Sequence, residues 1–157
     1  MKRHPALKYL SEDHHQALLL ALLLKHNAPT FLSLPNDLIG KMNYAKKTYE
    51  NELEQHFKDE EEFVFPFILN KDSELDELIN EIIDEHIILK EKIFSLNDNP
   101  KLSDQLNEIG IVLENHVRKE ERILFEKTQQ LLNEESLHQI KVKFDKTRLQ
   151  NKSCKIK

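Results

Sequence analysis

Two stretches decide the fold: HFKDEEEFVF at residues 56–65 and HVRKEERILF at residues 116–125. Each opens with a histidine followed four residues later by a glutamate, His56 with Glu60 and His116 with Glu120. Residues four apart on a helix share one face, about 6 Å apart along the axis. An imidazole and a carboxylate so placed reach a single point beside the helix. Two such helices facing each other offer two imidazoles and two carboxylates to a shared centre. Histidines in two further helical segments, the adjacent pair His14 and His15 and the single His86, complete a ligand set for two metal ions.

Apolar residues flank these positions at helical spacing. Leu7, Leu10, His14, Ala17, Ala21 and Leu24 recur three and four apart, predicting a first helix from about residue 5 to residue 27. Asn36 or Asp37 caps a second helix, whose inward stripe reads Tyr49, Leu53, His56, Glu60, Phe63 and Phe67, with Pro66 near its end. Between these two helices Phe31, Leu32 and Leu34 are expected to anchor a connecting loop. Asp72 or Ser73 caps a third helix carrying Leu75, Ile79, Ile82, His86, Leu89 and Ile93. A fourth begins near Lys101 and carries Leu106, Ile109, Leu113, His116, Glu120 and either Ile123 or Leu124, with Gly110 a mild cost inside it. A shorter helix over about 134–149 follows. The expected architecture is all-α: a four-helix bundle over residues 1–132, then a C-terminal helix and basic tail over 133–157.

Composition agrees. The chain has 157 residues, enough for one substantial core, and its 2 glycines and 5 prolines punctuate too little for a many-stranded β fold. Net charge is -5, unevenly spread: residues 139–157 carry +6 and the remainder -11. The basic run is read as a solvated helix end, and no nucleic-acid partner is expected. Cys154 is the single cysteine, which excludes an intrachain disulfide and fits a reducing compartment. The apolar run at 17–24 is too short to span a bilayer. A soluble, cytoplasmic protein with no membrane partner is expected; the oligomeric state, a homodimer included, stays open.

Each main helix thus sets a histidine inside its apolar stripe, where an unpartnered polar group is costly. Four such histidines, two with an inward glutamate one turn on, point to a metal site, and bundle cores house metals readily. Imidazole nitrogen and carboxylate oxygen suit iron or manganese, with zinc compatible. Four histidines and two glutamates exceed the four donors of a structural zinc site. Two ions bridged by both carboxylates, each with two imidazoles, fit better and leave an exchangeable position on the centre.

The segments SEDHHQAL, HFKDEEEFVFP, DEHIILKEKI and HVRKEERILFE resemble the four helix signatures of the hemerythrin-like HHE cation-binding family. The resemblance implies an up-down-up-down bundle around a non-haem di-iron centre of the Fe–O–Fe type. It also implies His14, His56, Glu60, His86, His116 and Glu120 as ligands, Glu60 and Glu120 bridging, and His15 as the alternative to His14. Oxygen-carrying members place a second histidine on the third helix, four residues from the first; Ile82 and Lys90 occupy those positions here. The implied function is binding of dioxygen, nitric oxide or peroxide for sensing, storage or detoxification. A di-iron peroxidase or oxidase, and an iron-responsive interaction module, are the rival classes. Glu61 and Glu121 stand about 140° round the helix from their histidines and are expected to face solvent, with orientation of an imidazole as their second role.

Overall fold

The computed structural model describes residues 2–155, in which every regular element is helical. A 3-10 turn at Pro5–Leu7 leads into α1 (Lys8–Leu24). A second helix, α2 (residues 38–68), is followed by α3 (Ser73–Phe94), α4 (residues 102–131) and α5 (Glu134–Lys155). None of these helices is long and apolar enough to cross a membrane.

Local chemistry sets the boundaries. The Asp37 carboxylate accepts from the Gly40 N–H at 2.9 Å and starts α2; Asp72 accepts from Leu75 N–H at 2.9 Å and starts α3. Asn133 Oδ1 accepts from Ser136 N–H at 2.9 Å at the start of α5. Between α2 and α3 the chain turns through Asn70, whose φ of 63° is left-handed, a conformation asparagine tolerates better than most residues. The loop before α2 departs from expectation: Leu32 is fully solvent-exposed, while Phe31 and Leu34 are half-buried. The last helix also exceeds the predicted 134–149, running on through Lys155; Lys157 of the basic run lies outside the described residues.

Three π-turns interrupt the α-helical winding. Two lie in α2, at Tyr49–Leu53 and Glu60–Val64, and one lies in α4, at Glu120–Leu124. A π-turn adds one residue to a helical turn, so every side chain beyond it shifts register. The predicted inward pair Phe63 and Phe67 is accordingly displaced by one position. Val64, Phe65 and Ile68 are buried, whereas Phe63 and Phe67 are half-buried. The same shift decides for Leu124, which is buried, over Ile123, which is 44% exposed.

Cross-helix contacts pair successive segments in opposite senses. Between α2 and α3, Glu54 meets Lys90 and Glu61 meets His86; between α3 and α4, Glu74 meets Lys127, Glu85 meets His116 and Lys92 meets Glu108. α1 and α4 pair through Lys25 with Glu114 and His14 with Glu120. Among the described residues, the buried apolar side chains other than Leu23 fall into two clusters. One holds Leu24, Leu53, Leu89 and Leu113; the other holds Leu10, Val64, Ile79 and Leu124 together with Phe144 of α5. Along each of α1 to α4, the histidine lies near the junction of the two.

Candidate metal centre

His14, His56, His86 and His116 are all at least 96% buried, and Glu60 and Glu120 have no exposed surface. Both glutamates open a π-turn. Each is the last residue in α-helical phase with its histidine, and the added residue then re-aims the chain beyond. Such turns concentrate at functional sites.

The six side chains form two clusters with a common edge. Donor atoms of His14, His56, Glu60 and Glu120 lie within 4.8 Å of one another, as do those of Glu60, His86, His116 and Glu120. Glu120 stands 3.0 Å from His14 Nε2 through Oε2 and 3.0 Å from His116 Nε2 through Oε1. Glu60 is 3.5 Å from His56 Nε2 and 3.3 Å from His86 Nε2. Although these distances are short, none of the four contacts makes a hydrogen bond. Both carboxylates of Glu60 and Glu120, and Nε2 of His86 and His116, are buried without a hydrogen-bond partner. Orphaned buried polar atoms are costly and rare in folded proteins. Converging on common points, with their lone pairs unused in hydrogen bonds, they fit a pair of divalent cations.

A second layer fixes the imidazoles. His14 Nδ1 donates to Glu121 at 2.6 Å, and His56 Nδ1 donates to Asp13 at 3.2 Å. His86 Nδ1 donates to Glu61 at 2.8 Å, and His116 Nδ1 donates to Glu85 at 2.7 Å. An ionised carboxylate only accepts, so each contact puts a ring proton on Nδ1 and turns Nε2 toward the cluster; His14 Nε2 and His56 Nε2 meet there at 3.1 Å, a contact in which one of them carries a proton that a cation would replace. The four bonds make a closed ring. The acid of α1 holds the histidine of α2, that of α2 holds α3's, that of α3 holds α4's, and that of α4 returns to α1. Three of these acids carry a cation of their own: Glu121 binds Arg3 at 2.5 Å, Glu85 binds Lys119 at 2.5 Å, and Asp13 binds Arg148 at 2.6 Å.

Charge balance in the cluster is tight. Burial alone pushes the His14 imidazole down, but Glu120 and Glu121 outweigh it and raise it to about 10. His86 is likewise raised to about 10 against its burial, by Glu120 and Glu60, and His116 to about 9, chiefly by Glu120. Burial opposes ionisation of Glu120, yet His116, His14 and His86 hold its carboxyl well below the usual range. Cations binding at Nε2 would therefore displace protons.

His15 is exposed and turned away, so among the adjacent pair the structure brings His14 into the cluster. Of the two roles expected of Glu61 and Glu121, the structure shows the orienting one: each reaches round its helix to a neighbouring imidazole, Glu61 while staying exposed. Asp13 and Glu85 escaped the sequence reading altogether. A signal for them exists: every orienting acid is adjacent in sequence to one of the six clustered residues, Asp13 to His14, Glu61 to Glu60, Glu85 to His86 and Glu121 to Glu120. Phe57 was also missed; its ring stacks on His86 with centroids 4.0 Å apart. His4 caps the first turn by accepting from Ala6 N–H.

A sequence model described as the hemerythrin HHE cation binding domain matches residues 6–128. That segment contains all six clustered residues and the four orienting acids. No curated protein and no solved structure matches the chain.

Proposed function

This chain belongs to the hemerythrin HHE cation-binding family, and from that premise we propose that it holds two iron ions and binds dioxygen, nitric oxide or peroxide. In this reading α1 to α4 are the family's up-down-up-down bundle, supported by the opposed senses of their cross-helix contacts. His14 and His56 hold one ion, His86 and His116 the other, and Glu60 and Glu120 are shared. The observation that carries the proposal is the common edge: two four-donor clusters using the same two buried carboxylates. Manganese or zinc would satisfy the same donors, but the combination of hard oxygen and imidazole suits iron well.

A bound iron pair supplies a redox-active centre with room for a small exogenous ligand. The chain's own residues do the rest. The ring of carboxylates fixes each imidazole's tautomer and plane. Glu60 and Glu120 supply two negative charges against the metal charge. Apolar clusters on both sides keep bulk water from the layer. Four imidazoles and two carboxylates leave coordination positions unfilled by protein, which suits sensing, storage or detoxification of a small molecule. The lone, exposed Cys154 is consistent with a reducing, cytoplasmic setting.

Protein purified without air should contain two irons per chain and show near-ultraviolet bands that change on exposure to oxygen, nitric oxide or peroxide. Absence of metal, or bands indifferent to all three, would refute the reading. A second reading, a di-iron peroxidase or oxidase, draws on a cleft of about 580 Å³ that reaches His56 between α1, α2 and α5. Sustained turnover of peroxide with a reductant would favour it over simple binding.

A further inference from the structure

The C-terminal helix lies beyond the segment matched to the family, yet it reaches the candidate centre. Leu137, Ile140 and Phe144 seat α5 in the apolar cluster that contains Leu10 and Val64. Phe144 meets Phe63 edge-on at 5.3 Å, and Tyr9 donates to Asp145 at 2.8 Å. One turn further on, Arg148 turns its guanidinium toward the bundle. Nη1 and Nη2 donate to the two oxygens of Asp13 at 3.1 and 2.6 Å, and Nη2 also donates to Asp59 at 3.3 Å. Asp13 is the acid that accepts from His56 Nδ1.

The planar fork of arginine suits this task, spanning one carboxylate with two parallel bonds while neutralising another. Asp59 is 1% exposed, and a buried carboxylate stripped of its cation is strongly unfavourable. Without Arg148, Asp13 and Asp59 repel each other. Asp59 is enclosed, whereas Asp13 borders the cleft beside His56 and is free to turn into it. The imidazole of His56 then loses the bond that orients it. No comparable route leads from Arg148 to His86 or His116, whose acids are Glu61 and Glu85.

We propose that Arg148 is a positioning residue for the His14–His56 half of the centre, so that α5 governs retention of one of the two metal ions. The inference rests on the dinuclear reading above. Zinc serves as the probe, since it suits the donors and has no redox chemistry. The full-length protein and its Arg148→Met, Arg148→Lys and Phe144→Leu variants are loaded with two equivalents, and release to a chromophoric chelator is followed.

In Arg148→Met one equivalent should leave 10–100-fold faster, the usual effect of losing an orienting partner of a metal ligand, while the other keeps its wild-type rate. Arg148→Lys keeps the charge but not the fork and should fall between. Phe144→Leu trims an aromatic contact of α5 one turn from Arg148 while keeping the helix seated and the clamp in place, and should release both ions at wild-type rates. Anomalous diffraction from half-released Arg148→Met should find the remaining ion between His86 and His116. Should Arg148→Met fail to fold, Arg148→Lys decides by the same criterion. Unchanged release, equal acceleration of both ions, the same acceleration in Phe144→Leu, or a remaining ion between His14 and His56 would each overturn the inference alone. A wild-type protein that takes up fewer than two equivalents would overturn the dinuclear reading, and the inference with it.

Discussion

Glu60 and Glu120 each belong to both donor clusters, and their carboxylates are buried with no hydrogen-bond partner. Removing either should therefore disturb both metal positions. Glu60→Ala and Glu120→Ala are each expected to lower metal content from two equivalents toward one or none, measured by elemental analysis of folded protein. Two full equivalents in both variants would defeat the shared-edge assignment. Proton binding offers a separate check. In the metal-free protein the imidazoles of His14 and His86 are raised to about 10, and that of His116 to about 9. A raised imidazole stabilises the fold fully below its ordinary value near 6.5 and ceases to do so as pH climbs through 9–10. Burial opposes ionisation of Glu121, yet bonds from His14 and Ser11 hold its carboxyl down to about 2. The stabilisation from that carboxylate is present above about pH 4.5 and fades as pH falls toward 2. The melting temperature of chelator-treated protein should thus be highest between about pH 5 and 6.5 and fall on either side, with the alkaline decline running on to about pH 9–10. A melting temperature that climbs steadily from pH 7 to 10 would contradict the charged imidazoles.

At the scale of the element, Gly110 carries more than its intrinsic helix propensity. A Cβ at that position would stand 2.6 Å from the backbone carbonyl of Ala21 and 3.1 Å from Lys25 Cγ, so α1 and α4 pack there almost backbone to backbone. On propensity alone, Gly110→Ala would stabilise α4 by about 1 kcal/mol. Packing predicts the opposite sign, a loss of about 1–3 kcal/mol, because the carbonyl belongs to a packed helix and cannot step aside cheaply. Urea unfolding of the metal-free variant distinguishes the two. The π-turns belong to this scale as well. Period-3.6 patterning located the helices and their inward faces up to Glu60 and Glu120, then mis-phased Phe63 and Phe67. A one-residue insertion in the winding leaves no local composition mark, and it becomes visible only when the buried side chains are seen.

For the whole molecule, the proposed centre predicts a coupling of metal binding to stability. Two apolar clusters enclose six side chains whose atoms without hydrogen-bond partners would gain from cations beyond what the charged imidazoles supply. Ions bound to the folded chain stabilise it by mass action, about 4 kcal/mol at a thousandfold excess over the dissociation constant. Chelation should therefore lower the melting temperature by several degrees or more, and restored metal should recover it. Equal melting temperatures with and without metal would show that the layer does not depend on cations.

The sequence by itself determined the helical class, the inward faces as far as Glu60 and Glu120, and five of the six residues that meet, with the sixth narrowed to His14 or His15. These follow from spacing along one chain segment: a helix fixes which residues share its face, and the paired His-x-x-x-Glu runs declare that the shared face is polar at its middle. Only the tertiary structure decided which acid holds which imidazole, since each such bond crosses from one helix to the next. Asp13, Glu61, Glu85 and Glu121 look like solvated surface charge until their neighbours are in place. Arg148 lies 135 residues from Asp13 in the chain, and nothing in the spacing within α5 announces the contact. Intrahelical geometry is local and legible in the sequence; the pairing of charges between helices depends on packing angle and register, which the whole fold sets at once.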